Sequence, residues 1–548
     1  MVNLLRTFSQ LLIVATLSRA VPQSAPPPPT VSGFPDLYEA SIAELQSGLS
    51  QKQFTSVDLV KAYLARINEV NHEGPVLRAI IETNPSALAQ AAALDQERQM
   101  KGPRGPLHGI PIIVKDNIAT LHSEGMNTTA GSFALLGSVV PRDATVAAKL
   151  RAAGAIILAK ANLSEWANYR GVVPAGFSGR GGQASSAYVP LGTPAGSSSG
   201  SGISSSIGLA ACALGSETDG SIIGPSSTNN LVGIKPSVGL TSRAGVVPIS
   251  VHQDTVGPLC RSVADAAVVL SIIAGQDSLD NFTLAQPSVV PNYTQALNAS
   301  ALKGVRLGVP RALFATQSPV VMAAFNATLP TFQSLGATIV DPADFPDSAE
   351  ILASTNETTI LNADFKVNVA SYIAGLLEVP TGVKTLEDLI EFNFAHADEE
   401  LVQPFWTDQS KFVAAENTTM DQGYFNALAD DKMLGQTQGI DGTLQKFNLD
   451  AILLPSGAAP KPAAIAGYPI ISIPLGFQPP NTTLAPAMPT RATGPNMPFG
   501  IAFIGTAFSE FKLVSYGFAY EQATHTRLKQ LAFAAAIPKT QLVDVVGK

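Results

Sequence analysis

Two kinds of residue in this sequence stand where they could do chemistry: serines in glycine-rich turns and lysines at the ends of apolar runs. The stretch 196–227 reads GSSSGSGISSSIGLAACALGSETDGSIIGPSS, two such turns separated by the small, apolar segment Ile203 to Leu214. Turns built from glycine and serine present backbone N–H groups and hydroxyls together, which suits an anion or a developing oxyanion. At the two ends of one short buried element, they can bring Ser197 and Ser221 side by side. A flexible linker shares the Ser/Gly content, but a linker does not carry Ile-Gly-Leu-Ala-Ala-Cys-Ala-Leu.

Lys115 follows Ile112-Ile113-Val114, so its ammonium is expected where strands end, partly desolvated. Burial can lower a lysine pKa by up to ~3–5 units, and a neutral lysine is a competent base for a serine hydroxyl. A salt bridge to Asp116 would make Lys115 merely structural, but successive strand residues face opposite sides. Lys160 and Lys235 occupy similar settings, and spacing does not choose among the three. The six histidines contain no i, i+4 pair and no cysteine pair has ligand spacing, so no metal site is expected. Gly196 to Gly200 matches G-x-S-x-G around Ser198, but that elbow needs a strand running straight into it. Pro190, Gly192 and Pro194 precede it instead. A Ser–His–Asp esterase stays open as an alternative.

The elements that must position these groups alternate between helix and strand. Thr55-Ser56-Val57-Asp58 is a capping-box pattern ahead of Leu59, Val60, Tyr63, Leu64 and Ile67, which share a helical face. Strands are expected at 77–83, 110–115, 155–160, 231–235, 305–309, 337–340, 449–455 and 468–474. Helices are expected at 84–100, from a cap at Asp143 to Gly154, and at 262–274, 319–335 and 509–522, with 349–429 mainly helical. The alternation implies parallel strands with helical crossovers. The glycine-, serine- and proline-rich segment between Tyr169 and Gly196 reads as a loop over the rim of a site, and 276–304 as a surface excursion.

A chain of 548 residues with 46% apolar and 14% charged residues can bury a large core. A net charge of −8 leaves no electrostatic footprint for nucleic acid. Arg6, the apolar run 11–17 and Ser18-Arg19-Ala20 read as a signal peptide over 1–20. The run is far shorter than the ~20 residues a membrane span needs. A proline-rich leader follows at 21–35. Asn-X-Ser/Thr occurs at Asn127, Asn162, Asn281, Asn292, Asn298, Asn326, Asn356, Asn417 and Asn481, which points to a secreted glycoprotein. With only Cys212 and Cys260 present, two buried free thiols are expected rather than a bridge.

Taken together, 108–117 (HGIPIIVKDN), the Gly196–Ser199 turn, Gly220-Ser221-Ile222, Val232-Gly233-Ile234-Lys235-Pro236, 253–258 (QDTVGP), Tyr468-Pro469 and the Ser509-Glu510 helix resemble the amidase signature family. The resemblance implies a single α/β domain over 36–548, a large mixed β-sheet surrounded by helices, with a more variable helical insertion around 276–450. It implies a Ser–Ser–Lys triad in which Ser221 is the nucleophile, Ser197 the bridging serine after a cis peptide bond, and Lys115 the base. The backbone N–H groups of Thr218, Asp219, Gly220 and Ser221 would form the oxyanion hole. The expected partner is a small-molecule or peptide amide, with no metal or organic cofactor.

The match has departures. The family pattern G-T-D-[TI]-G-G-S-[IV]-R is replaced here by Gly215-Ser216-Glu217-Thr218-Asp219-Gly220-Ser221-Ile222-Ile223. The local carboxylate–guanidinium pair is therefore absent, and Asp219 puts an acidic group beside the oxyanion donors. The E-T-D-G-S wording resembles the branch that includes bacterial peptide amidases. A catalytically silent binding protein of the same fold is a second reading. An amidotransferase subunit is a third, and the leader and the sequons argue against it.

Overall fold

The computed structural model describes residues 33–548. The expected signal peptide and all but the last three residues of the leader lie outside them. The first two helices, Ile42–Ser50 and Ser56–Asn71, both start with a capping box. At the second, Asp58 N donates to Thr55 Oγ1 at 3.1 Å and Thr55 N to Asp58 Oδ2 at 2.9 Å, satisfying two end-of-helix donors reciprocally. Leu59, Val60, Tyr63 and Ile67 are the buried face.

In chain order the strands are β1 (Ile80–Thr83), β2 (Pro111–Lys115), β3 (Ile156–Ala161), β4 (Phe177–Ser178), β5 (Gly182–Gln183), β6 (Cys212–Glu217), β7 (Val232–Lys235), β8 (Thr255–Cys260), β9 (Arg306–Gly308), β10 (Thr338–Val340), β11 (Ala451–Pro455), β12 (Ile470–Phe477) and β13 (Pro498–Ile504). Eleven of them form one sheet in the order β1-β3-β2-β6-β8-β7-β12-β13-β11-β9-β10, and β4 and β5 make a small hairpin. β3, β2 and β6 run parallel, as do β11, β9 and β10. The strands between these two groups, from β6 through β8, β7, β12 and β13 to β11, pair antiparallel. The sheet is mixed, with helices packed around it, and one hydrophobic cluster extends through it from Leu37 to Leu542.

Besides the short β4–β5 hairpin, two strands of the large sheet were not anticipated, β8 and β13. Each carries a proline and a glycine (Gly257-Pro258; Pro498 and Gly500), which read as strand breakers. Pro258 is tolerated because its missing N–H falls where β8 is paired with β6 alone, and Pro498 is the first residue of its strand.

The stretch 203–214 is not one element but two. A helix occupies Ser199–Ser206, and β6 follows a turn. SGSGISSS has little helix propensity, and tertiary contacts hold it. Ser201 Oγ donates to Leu214 O at 2.9 Å and Ser205 Oγ to Leu259 O at 2.7 Å. A Cβ at Gly200 would lie 2.6 Å from the Asn162 backbone, so only glycine admits the close approach to β3.

Three expectations need correction. Cys212 and Cys260 are disulfide-bonded, not free: they stand directly opposite in the β6–β8 register, Cα to Cα 4.8 Å. Antiparallel pairing at that spacing lets two side chains on one face meet. Asp143 does not cap the helix Thr145–Ala152, whose N-cap is Ala144. Its carboxylate instead accepts Leu121 N and pairs with Arg151 at 2.9 Å. The segment 169–196 is no open rim, since Phe177, Ser178, Ala184, Ser186 and Ala187 are buried and Trp406 stacks on Phe177. No helix among the described residues is long and apolar enough to cross a membrane.

Candidate active site

β2 ends in Lys115, and the strand order places β6 immediately beside it. From that edge Lys115 Nζ makes three hydrogen bonds: to Ser197 Oγ at 2.7 Å, Ser216 Oγ at 2.9 Å and Ser216 O at 3.1 Å. The lysine is fully buried, and desolvation pushes its pKa down to about 7, with Asp254 and Glu217 opposing the shift. Asp116 faces away, accepting Thr129 Oγ1 and Gly131 N. Ser197 opens the turn that leads into the Ser199–Ser206 helix, and the Gly196–Ser197 peptide is cis. A Cβ at Gly196 would collide with Ser164 Oγ.

Ser221 lies in the turn after β6, tied to the first serine turn by the Ser198 N to Ser221 O bond at 3.1 Å. Gly220 has φ +81°, a conformation that L side chains rarely adopt. Among the described residues no protein acceptor takes the N–H of Thr218, Asp219 or Ser221, while the Gly220 N–H lies against Glu217. Thr218, Asp219 and Ser221 line a cavity of about 270 Å³ with Tyr169, Glu357 and Lys411.

The rival lysines are engaged elsewhere. Lys160 Nζ bonds Thr128 Oγ1 and the Ile118 carbonyl, and Lys235 Nζ the Tyr468 carbonyl at 2.8 Å. Burial lowers both to about 8. Ser198 Oγ donates to Ser216 O at 3.1 Å, and no histidine among the described residues bonds it. His252 does pair with Asp364 at 2.8 Å, but Ser250 Oγ donates to that same carboxylate instead of to the imidazole. The serine–histidine contact of a Ser–His–Asp hydrolase is missing there.

The Amidase family model matches residues 58–514. The chain belongs to the amidase family. A protein of Arthroderma benhamiae named as an amidase is 42% identical over 549 residues, covering 94% of this chain and 90% of that protein. One of Arabidopsis thaliana, also named as an amidase, is 41% identical over 530 residues, covering 95% and 97%. The solved peptide amidase of Stenotrophomonas maltophilia superposes with a TM-score of 0.80 at 38% identity, over 90% of this chain and 98% of that one. The protein is an amide hydrolase with the amidase signature fold.

In this amidase the departures from the family pattern acquire a physical account. Glu217 Oε2 accepts the N–H groups of Ile222 and Ile223 at 2.6 and 2.8 Å, holding the turn that carries Ser221. Burial raises the Glu217 pKa, and Lys235, its nearby cation, opposes that shift. The work of a carboxylate–guanidinium pair is thus done by backbone N–H groups and a lysine one strand further on. Asp219 is exposed at the cavity that Ser221 lines. Desolvation by the surrounding chain, with the Glu357 and Glu217 carboxylates, raises its pKa, which opposes negative charge beside the free N–H groups.

Sequence reasoning missed Ser216, Asn117, Gln253 and Glu357. Asn117 Nδ2 donates to Ser216 Oγ at 2.9 Å and so orients the hydroxyl that meets Lys115. Both had a usable signal, being two residues beyond Lys115 and one before Glu217. Glu357 had none: it comes from a helix, Asn356–Ala374, far along the chain, and reaches the cavity only through tertiary packing.

Proposed function

We propose that this amidase is an exported enzyme that hydrolyses a carboxamide, a C–N bond outside the peptide backbone, to the acid and ammonia or an amine through Ser221, Ser197 and Lys115. The observation that carries this reading is the 2.7 Å contact between buried Lys115 Nζ and Ser197 Oγ. A neutral amine has two N–H donors and one lone pair. The two Ser216 oxygens take the donors, which leaves the lone pair for the Ser197 hydroxyl proton.

Ser221 Oγ attacks the amide carbonyl as its proton passes to Ser197, whose own proton moves to Lys115. The free N–H groups of Thr218, Asp219 and Ser221 receive the oxyanion, each strong donor contributing ~3–4 kcal/mol; the Gly220 N–H, expected to join them, is turned to Glu217. Ser197 then protonates the leaving nitrogen, ammonia or amine departs, and water hydrolyses the acyl-enzyme by the reverse relay. Peptide amides are the first substrate class to try, because a peptide amidase is among the solved relatives. Export is supported by the 1–20 segment and the nine sequons. The test is ammonia release from simple amides, amidated peptides and fatty amides. Loss of all turnover in Ser221→Ala, with the fold intact, is the expected result.

A further inference from the structure

A second cavity, of about 620 Å³, adjoins the first, and Gln253 stands in the wall between them. Gln253 Nε2 donates to Glu357 Oε1 at 2.7 Å and lies 3.4 Å from the Thr218 carbonyl. Thr218 and Glu357 line the Ser221 cavity, whereas Gln253 lines the second. The helix Asn356–Ala374 is shared in the same way, presenting Leu361 to the first cavity and Ile360 to the second. The far walls are apolar: Phe282, Phe425, Leu428, Ile465, Tyr468 and Phe508. A volume of this size falls within the range of small-molecule sites, in which a few polar groups fix orientation.

One such group is present. Asp431 lines the cavity at 3% exposure, and neither of its carboxyl oxygens has a hydrogen-bond partner of good geometry among the described residues, the Asn356 side chain being the nearby group that favours its ionised form. Burial, reinforced by the Glu357 charge beyond the wall, lifts its pKa to about 7. The basic groups at hand are committed or outside: Lys461 is held by the carbonyls of Leu352 and Ser354, His252 by Asp364, and Lys432 is exposed. A buried carboxyl without a donor is costly unless something supplies one.

We propose that the second cavity binds the acyl side of the substrate, which is a short peptide amide with an apolar side chain and a free N-terminal amine received by Asp431. The assignment rests on amide hydrolysis at Ser221, and it names the substrate class of that same site. The amide end occupies the Ser221 cavity, the Gln253 side chain gives up its bond to Glu357 to let the chain between the cavities, the apolar side chain packs on Phe282, Phe425 and Tyr468, and the ammonium pairs with Asp431.

The test uses phenylalanyl-leucinamide and its N-acetyl derivative. Binding of both to the Ser221→Ala protein is measured by calorimetry at pH 8, and kcat/KM for both on the active enzyme. The free amine is expected to bind at least tenfold more tightly than the acetylated peptide, and Asp431→Asn to bring the ratio near one. Ala429→Trp, which fills the cavity from its rim, is expected to weaken both peptides tenfold or more. Equal binding of the two peptides to Ser221→Ala, or a preference that survives Asp431→Asn, would overturn the proposal. Tight, amine-selective binding with no ammonia released by the Ser221 enzyme would overturn the hydrolytic reading instead and leave this binding site standing.

Discussion

Lys115 Nζ stands 2.7 Å from Ser197 Oγ, and it is the one of the three buried strand-end lysines that bonds a serine of the 196–227 stretch. With burial holding Lys115 down to about 7, the base form appears as pH rises through that value. The rate kcat/KM should climb through about pH 7 and stay high on the alkaline side. Lys115→Ala should lose ~10³-fold or more, since the base acts chiefly in the transition state. Lys160→Ala and Lys235→Ala should cost stability, while the folded fraction keeps the wild-type pH profile. A histidine variant as inactive as Ser221→Ala, with Lys115→Ala near wild type, would defeat this assignment.

Ser221→Ala should abolish covalent labelling by a fluorophosphonate probe without unfolding the protein. Ser198→Ala should still label, because the Ser198 hydroxyl is engaged by the Ser216 carbonyl. Mass mapping of the labelled peptide distinguishes the two serines.

Ser216 is a positioning residue, presenting two oxygens to the lysine. Removing its hydroxyl leaves a buried lysine with one partner fewer. Ser216→Ala should therefore lower kcat ~10-fold or more and move the inflection of the pH profile away from about pH 7. A merely structural role would leave that inflection in place.

Glu217 accepts two N–H groups at the turn bearing Ser221. Glu217→Ala strands both donors, at a cost of ~1–3 kcal/mol each when buried. Denaturant unfolding should show the loss, and kcat should fall with it. Glu217→Gln, which keeps one acceptor, should recover part of both.

Cys212 and Cys260 should give no alkylation by iodoacetamide in denaturant without reductant, and two adducts after reduction. The mature chain should begin near Val21, and glycopeptide mapping should find glycans among the exposed Asn281, Asn292, Asn298, Asn326, Asn417 and Asn481. None is expected at Asn162, which is fully buried beside β3. An intact Met1 on an unglycosylated product would remove the export claim.

What the sequence determined by itself is what local chemistry dictates. Capping boxes, apolar runs and strand-end lysines depend on residues a few positions apart, so the helix Ser56–Asn71 and strands β2, β3 and β7 were legible, as was the family carried by several motifs in order. What it could not decide is which distant groups meet. Three lysines looked alike until the β3-β2-β6 order put Lys115 against Ser197 and Ser216. Two cysteines 48 residues apart became a bridge only through the β6–β8 register. Strands β8 and β13 were hidden because a proline is harmless where a neighbour is lacking, and neighbours are a tertiary fact. Glu357 and Asp431 reach the cavities from helices far along the chain, their placement set by the packing of those helices and not by any residue near them in sequence.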